Sequence, residues 1–224
     1  MKIYGFYHIC LINDWELIVK EQIDLIVKSG LYSKTDAIFI GCLGAEDNRN
    51  RLQKLINNKN KFRIVLYNNN IKLYEMPILQ HLQNLCQQDK EFLLWYIHTK
   101  GVISRQVAWR NNLNTIVIKY HEYCIKLLEN PDIGAVGPML RCGGFPFNLG
   151  ENINHHYHFR GNFWWAKSHY VKKIKVNLTD MMKRHNSRYI AEAFIGMLAD
   201  PKMQEAKEED GKKYFKGYIA IKLL

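Results

Sequence analysis

Polar side chains that could bind an anion follow an apolar run in the middle of the chain. Residues 92–97 are aliphatic or aromatic, and His98, Thr99, Lys100 and Gly101 follow them directly. The pattern predicts a buried strand, and in open α/β sheets ligands bind outside the carboxyl ends of the strands. A histidine donates a hydrogen bond or ligates a metal, and a lysine brings a mobile positive charge. We therefore expect an anion-binding site at this strand end, with an ordinary solvated lysine as the alternative.

The composition is that of a folded, basic protein. The 224 residues carry a formal net charge of +11, and 47% of them are hydrophobic, which argues against disorder. The charge favours anionic partners, namely nucleotides, nucleic acid, acidic glycans or a membrane surface. The five cysteines include no CxxC pair, which favours a reducing compartment. No apolar segment reaches bilayer-spanning length and the first residues are strand-like, so we expect a soluble cytoplasmic protein.

Hydrophobic periodicity predicts alternating strands and helices. Strands are expected at residues 3–11, 36–42, 62–67, 92–98, 133–139 and 159–166. Helices are expected at residues 14–28, 74–86, 109–129 and 189–198, with a polar loop at 148–158 and a charged connection at 205–213. The chain has no internal repeat, so the pattern predicts a single α/β domain, residues 1–224, with a mostly parallel central sheet flanked by helices.

Five segments, in this order, resemble the nucleotide-sugar glycosyltransferases of the Rossmann-like GT-A fold, specifically a group found in bacterial surface-glycan loci and large DNA viruses. They are Tyr74-Glu75-Met76-Pro77, Tyr96-Ile97-His98-Thr99-Lys100-Gly101, Trp109-Arg110, Arg160-Gly161-Asn162-Phe163-Trp164-Trp165-Ala166 and Arg188-Tyr189-Ile190-Ala191-Glu192. The resemblance extends over most of the chain. It implies a GT-A-like domain with a donor half, residues 1–103, and an acceptor half, residues 104–224, working in the cytoplasm of a bacterium or of a viral host.

The sequence departs from that family at one important position. In GT-A enzymes generally, a strand ends in an Asp-X-Asp motif whose carboxylates hold a divalent metal against the donor pyrophosphate. His98, Thr99 and Lys100 occupy the matching position here, and a lysine repels Mn²⁺ or Mg²⁺. Either Lys100 neutralises the pyrophosphate itself, or His98 ligates the ion together with another residue. We favour the first alternative, because the departing diphosphate needs positive charge nearby.

The resemblance also implies that the nucleotide lies at the tips of the first strands. The expected donor-binding residues are Tyr7, His8, Asn68, Glu75, His98, Thr99, Lys100 and Arg110. Tyr7 and His8 are expected to stack on or hydrogen-bond the base, and Glu75 to cap its helix or bind a ribose hydroxyl. Core packing is the alternative for Tyr7, and a solvated side chain the alternative for Arg110.

An aromatic segment, residues 159–166, resembles the acceptor side. Sugars present apolar C–H faces with hydroxyls at their edges, so stacking by Trp164 or Trp165 and hydrogen bonds from Asn162 and Arg160 suit a glycan. Adjacent strand residues point to opposite faces, so we expect only one of the two tryptophans to touch substrate. Ordinary core packing is the alternative.

Glu192 is a carboxylate within an otherwise apolar helical segment. Burial of a carboxylate without a partner is costly, which favours a position at a cleft. The resemblance implies that a late acidic residue deprotonates the acceptor hydroxyl in an inverting enzyme, or lies under the sugar in a retaining one. Glu192 and Lys100 are therefore the expected catalytic residues, with Asp180 as a second candidate and an ion pair between Glu192 and Arg188 as the structural alternative.

Three histidines, His155, His156 and His158, lie close together in the polar loop. No cysteine or regularly spaced partner accompanies them, which is unlike a structural zinc site. We expect a hydrated loop or a lid over the donor rather than a metal centre. The only metal ligand we would expect elsewhere is His98.

The leading functional prediction is a glycosyltransferase that moves a sugar from a nucleotide-sugar donor, specifically a UDP-sugar, to a hydroxyl of a glycan or glycoconjugate. A basic nucleic-acid-binding protein and an inactive nucleotide-sugar-binding module are the alternatives. The expected partners are the donor and a glycan acceptor, with no nucleic acid and no transmembrane segment.

Overall fold

The computed structural model describes residues 1–88, 90–142, 157–185, 189–197 and 218–222. The strands are β1 (Lys2–Leu11), β2 (Ala37–Gly44), β3 (Phe62–Asn68), β4 (Phe92–His98), β5 (Ile133–Pro138), β6 (Leu140–Cys142), β7 (Tyr157–Phe159), β8 (Trp164–Lys167) and β9 (Tyr218–Lys222). The α-helices are α1 (Trp15–Lys28), α2 (Leu31–Lys34), α3 (Glu46–Ile56), α4 (Met76–Cys86), α5 (Val107–Asn114), α6 (His121–Glu129), α7 (Ser168–Lys173), α8 (Leu178–His185) and α9 (Tyr189–Ala193). Ile71–Leu73 and Phe194–Gly196 form 3₁₀ turns, and Thr115–Lys119 forms a π-helical segment.

A sheet in the order β3-β2-β1-β4-β8-β5-β9 runs through the described part of the chain, and β6 pairs with β7 in a small second sheet. Strands β3, β2, β1 and β4 are parallel. Strand β8 is antiparallel to both β4 and β5, and β9 is antiparallel to β5. The result is a Rossmann-like, mostly parallel sheet flanked by helices, which confirms the predicted α/β fold class.

Side chains that alternate along each strand fill two separate core layers. Tyr7 and Trp95 point to the layer formed with α1, α3 and residues 107–129. Their neighbours Phe6 and Tyr96 point to the layer formed with α4, α7 and α8. Both faces of the central strands are therefore buried, as a sheet covered by helices on both sides requires.

The strand order reverses between β1 and β4. From β1 the chain extends the sheet through β2 to β3, with α1 and α3 on one face. It then crosses the other face through α4 and places β4 on the opposite side of β1. Such a switch point opens a crevice at the carboxyl ends of the two strands, which is where open α/β sheets bind ligands.

The observed elements differ from the predicted ones in several places. Helix α3 was not predicted, because its apolar residues, Leu52, Leu55 and Ile56, are confined to its second half and the rest is polar. The expected long helix at 109–129 is interrupted by the π-helical segment and by Tyr120. The expected strand at 159–166 is two strands, β7 and β8, because Gly161 and Asn162 adopt positive φ angles of 86° and 55° between them.

The last predicted helix, at residues 189–198, is shorter than expected, since α9 ends at Ala193 and continues as a 3₁₀ turn. The connection at 205–213 and most of the polar loop at 148–158 lie outside the described residues. No helix among the described residues combines the length and the apolar character needed to cross a membrane.

Candidate functional site

Two histidines lie side by side at the switch point. His8 of β1 and His98 of β4 are register partners on adjacent parallel strands. Both side chains point to the face covered by α4, because they follow Phe6 and Tyr96 by two residues. Glu75 immediately precedes α4 and brings a carboxylate to the same place. The carboxyl ends of β1 and β4 thus meet the start of α4 at one titratable cluster.

His98 is held in a defined orientation. Its Nε2 lies 2.8 Å from the carbonyl oxygen of Gly161, and its Nδ1 lies 3.8 Å from Oε1 of Glu75. Burial, and secondarily the nearby charge of Lys100, hold the pKa of His98 well below its usual value, so the ring is neutral. A carbonyl oxygen only accepts, so Nε2 carries the proton and Nδ1 is an acceptor. Nδ1 of His98 and the Glu75 carboxylate therefore lie 3.8 Å apart as two acceptors, which suit two ligand hydroxyls that donate one hydrogen bond to each.

A cavity of about 120 Å³ opens beside His8 at the tips of β1, β2 and β3. Its wall includes His8, Gly41, Tyr67, Asn68 and Pro77, so the start of α4 closes one side. Burial lowers the pKa of His8 to about 3, and a neutral ring can hydrogen-bond a ligand without adding charge. The cavity is small, mostly apolar and more enclosed than open, as a slot for one planar ring would be.

The turn after β4 is fixed by its backbone. The Oγ1 atom of Thr99 accepts a hydrogen bond of 3.0 Å from the backbone N–H of Cys10, and the Thr99 N–H donates to the carbonyl of His8 at 3.1 Å. Gly101 has φ of +82°, and a Cβ atom there would lie 2.9 Å from the backbone nitrogen of Gln106. The turn therefore needs glycine at this position.

A buried network of polar side chains from α1 and α5 also holds the turn after β4. The amide of Gln22 donates to the His98 carbonyl at 3.2 Å and to Oδ1 of Asn114 at 2.9 Å, and its oxygen accepts from the Tyr7 hydroxyl. Arg110 donates to the Lys100 carbonyl at 3.2 Å. The carbonyls at both ends of the His98–Lys100 segment are thus held by side chains of α1 and α5.

Arg110 is itself anchored. Its guanidinium lies 2.9 Å from Oε2 of Glu21, and only 4% of its side chain is exposed. Asn114 also donates to this carboxylate, at 3.4 Å. A guanidinium that already donates to a carboxylate and a carbonyl has few donors left for a phosphate.

The structure brings together four of the expected donor-binding side chains. His8, Asn68, Glu75 and His98 lie around the cavity and the switch point. Lys100 is half-buried, on the turn that follows, and its ammonium forms no ion pair within the described residues. These five residues remain the candidate donor site.

Three other expected donor residues have structural roles instead. Tyr7 is fully buried on the opposite face of the sheet and bonds Gln22, so it has no surface on which a base could stack. Thr99 is buried with its hydroxyl on the backbone of Cys10. Arg110 is occupied by Glu21 and by the Lys100 carbonyl, so it positions the turn rather than facing a ligand.

The expected stacking platform for an acceptor is also corrected. Trp164 and Trp165 are both fully buried. Trp165 donates to the carbonyl of Val117 at 2.9 Å, and Trp164 stacks on Tyr96 with ring centroids 5.1 Å apart. Each tryptophan fills one of the two core layers, so neither presents a face to a sugar.

Two buried hydrogen-bond donors near Trp164 have no protein partner within the described residues. They are the side-chain nitrogen of Asn162 and the hydroxyl of Tyr96. Asn162 uses its oxygen to accept from Trp164 at 2.8 Å, and it follows Gly161, whose carbonyl binds His98. Burial, with the charge of Glu75, raises the pKa of Tyr96 well above its usual value, so it stays a donor. Buried donors of this type are usually satisfied by water or ligand.

Arg160, the fourth expected acceptor residue, is exposed and lies over the ring of Trp109 at 5.0 Å. Glu192 is half-buried on α9, and no contact joins it to His98 or Glu75 in the described part of the chain. Arg188, its alternative ion-pair partner, lies outside the described residues, as do His155 and His156. His158 is buried on β7.

Metal ligands are sparse in the described residues. Within them, no group of three or more His, Cys, Asp or Glu side chains is placed to hold an ion. Glu75 and His98 offer two ligand atoms, and Mn²⁺ or Mg²⁺ in proteins usually takes more from the protein or from the bound phosphates.

Sequence reasoning missed several residues that form the site. Gly41, Tyr67 and Pro77 line the cavity, and Gln22 supports the turn. Arg49 lies over the ring of Tyr67 at 5.5 Å, and its position depends on the unpredicted α3. A glycine inside an apolar strand was the one available signal, since Gly41 of β2 approaches Ile78 too closely for any side chain.

Fold and site together define a Rossmann-like α/β protein with a ligand cavity at the strand tips. The chain belongs to the family described as "Domain of unknown function (DUF8361)", whose sequence model matches residues 6–217. Among solved structures it is similar to a crystal structure of 4-diphosphocytidyl-2C-methyl-D-erythritol synthase, with a TM-score of 0.44 and 6% identity over 82% of this chain and 84% of that one. A search of curated protein sequences gave no significant match.

Proposed function

We propose that this protein is a glycosyltransferase that uses a nucleotide-sugar donor, a UDP-sugar, and a glycan hydroxyl as acceptor. The observation that carries the proposal is the convergence of the small cavity, the neutral His8 and the Glu75–His98 pair on the β1/β4 switch point. The sequence resemblance to GT-A glycosyltransferases supplies the reaction class.

The proposed donor pose follows from the character of the residues. The base occupies the cavity beside His8 and Asn68, where a small, mostly apolar lining includes these two polar side chains. Two hydroxyls of the ribose or of the sugar bind beside the Glu75–His98 pair, one donating to the carboxylate and the other to Nδ1 of His98. The diphosphate lies towards Lys100, whose ammonium has no carboxylate partner within the described residues.

The reaction breaks the bond between the anomeric carbon and the diphosphate oxygen, and the electron pair leaves with the diphosphate. Lys100 stabilises the charge that develops on the leaving group. The acceptor oxygen bonds the anomeric carbon, and its proton passes to the carboxylate of Glu192, the proposed base. The proposal takes the transfer to be metal-independent, because Lys100 supplies the positive charge at the diphosphate, and loss of activity in EDTA would contradict this.

A pair of variants tests the proposal by separating binding from chemistry. Lys100→Ala should weaken binding of a nucleoside diphosphate by about tenfold to a hundredfold, since a charge-assisted hydrogen bond contributes about 1.5–3 kcal/mol. Binding of the nucleoside should change little, and Lys28→Ala, an exposed lysine at the far end of α1, should change neither. Equal loss of nucleoside and diphosphate affinity in calorimetric titrations would rule out the phosphate role of Lys100.

The second variant addresses the base. Glu192→Gln should abolish sugar transfer, measured by mass spectrometry of the acceptor, and leave donor affinity nearly unchanged. Full transfer activity in this variant would remove Glu192 from the mechanism.

A further inference from the structure

Three exposed aliphatic side chains lie on segments that start at the same edge of the sheet as the candidate site. Six large hydrophobic residues are exposed within the described residues, and Leu17, Ile103 and Val107 are three of them, at 68%, 73% and 49%. Leu17 is in the first turn of α1, Val107 begins α5, and Ile103 lies in the turn that follows β4. All three segments start at the carboxyl edge of the sheet, so we call these three residues the tip patch.

The elements that carry the tip patch are tied to one another. Asn13, just before α1, donates to the carbonyl of Val102 at 3.0 Å, and Arg105 lies 3.5 Å from Asp14. One turn further along both helices, Glu21 pairs with Arg110 at 2.9 Å. Leu17 precedes Glu21 by four residues and Val107 precedes Arg110 by three, so both point from the same ends of two joined helices.

Basic side chains surround the tip patch. Lys100 lies on the same turn, and Arg105 has 84% of its side chain exposed. Arg160 extends over Trp109, two residues after Val107. The chain from Lys100 to His121 contains no acidic residue. The nearby carboxylates are paired, Asp14 with Arg105 and Glu16 with Lys20 and Arg51, so Lys100 and Arg160 are the bases of this surface that form no ion pair within the described residues.

Separate aliphatic side chains that project from turns between basic residues fit a lipid interface better than a protein groove. Aliphatic groups enter the headgroup boundary while Lys and Arg bind anionic headgroups. We propose that the tip patch docks this protein onto an anionic phospholipid surface. Docking in this orientation turns the carboxyl edge of the sheet, and with it the candidate site, towards the membrane. The proposal does not depend on the reaction catalysed.

The test is flotation of the full chain with phosphatidylcholine vesicles, with and without phosphatidylglycerol. We expect binding to the anionic vesicles only, and a decrease of about tenfold in Leu17→Ser/Ile103→Ser/Val107→Ser. Arg105→Glu should also weaken binding, by reversing one charge of the set. The matched control is Val27→Ser, because Val27 is 44% exposed near the opposite end of α1. Thermal unfolding checks that each variant is folded.

Absence of binding to anionic vesicles, or equal binding to neutral ones, would overturn the proposal. So would an equal loss in Val27→Ser and in the triple variant. A concentration-dependent dimer that the triple variant abolishes, without vesicle binding by the wild type, would assign the tip patch to self-association instead.

Discussion

Replacement of Gln22 by leucine tests how firmly the turn after β4 is supported. The amide is fully buried and forms hydrogen bonds with Tyr7, His98 and Asn114. Leucine is close to glutamine in size but can neither donate nor accept. The His98 carbonyl keeps a hydrogen bond of 2.8 Å from the backbone of Lys100, so two partners are left unsatisfied, the Tyr7 hydroxyl and Oδ1 of Asn114.

Each unsatisfied buried group costs about 1–3 kcal/mol, so Gln22→Leu should lower the free energy of unfolding by about 3 kcal/mol. Urea denaturation followed by tryptophan fluorescence measures this, provided that the m value is unchanged. Gln53→Leu, an exposed glutamine on α3, should stay within about 0.5 kcal/mol of the wild type. The reasoning is refuted if Gln22→Leu destabilises the protein no more than this control does.

Two further predictions concern the strand tips. The pKa of His8 is about 3 in the folded protein and about 6.5 in the unfolded chain, so the unfolded state binds more protons between these two values. His8 should therefore lower the free energy of unfolding by about 1.4 kcal/mol per pH unit as the pH falls from about 6 to 4. His8→Gln should flatten this slope in urea titrations, and parallel curves would contradict it. Gly101→Ala should lower the thermal stability more than Gly30→Ala does. Both glycines have positive φ, but only at Gly101 would the added Cβ lie within 3.0 Å of a backbone atom. Gly101→Ala should also weaken donor binding. Equal thermal destabilisation of the two alanine variants would argue against the close contact.

The sequence could predict the strands that carry the site, and could not predict how their side chains divide between core and cleft. Strand β4 has the predicted bounds because a run of large apolar residues ends abruptly at His98. As residue types, Trp164 and Trp165 were equally good candidates for stacking on a sugar. In the structure each is buried in a different core layer, and this placement depends on pairing with strands that are distant in sequence.

Long-range pairing also explains the corrected roles of Tyr7 and Arg110. Tyrosine and arginine both suit a nucleotide site. Only the folded structure shows that the Tyr7 hydroxyl is bonded to Gln22 and the Arg110 guanidinium to Glu21, both on α1. The resemblance placed Glu75 and His98 in one donor site, but local patterns could not show that they approach each other, since 23 positions separate them and their approach depends on the crossover through α4. Local patterns thus located the site, and tertiary contacts decided which residues line it.

A thermal-shift panel of nucleotide sugars and nucleoside diphosphates, each with EDTA and with Mn²⁺, tests the central claim most directly. The account predicts that one nucleotide family raises the unfolding temperature, with uridine nucleotides expected, and that the rise persists in EDTA because Lys100 supplies the charge. The absence of any shift with nucleotides, together with a shift from oligonucleotides, would contradict it and indicate a nucleic-acid-binding protein.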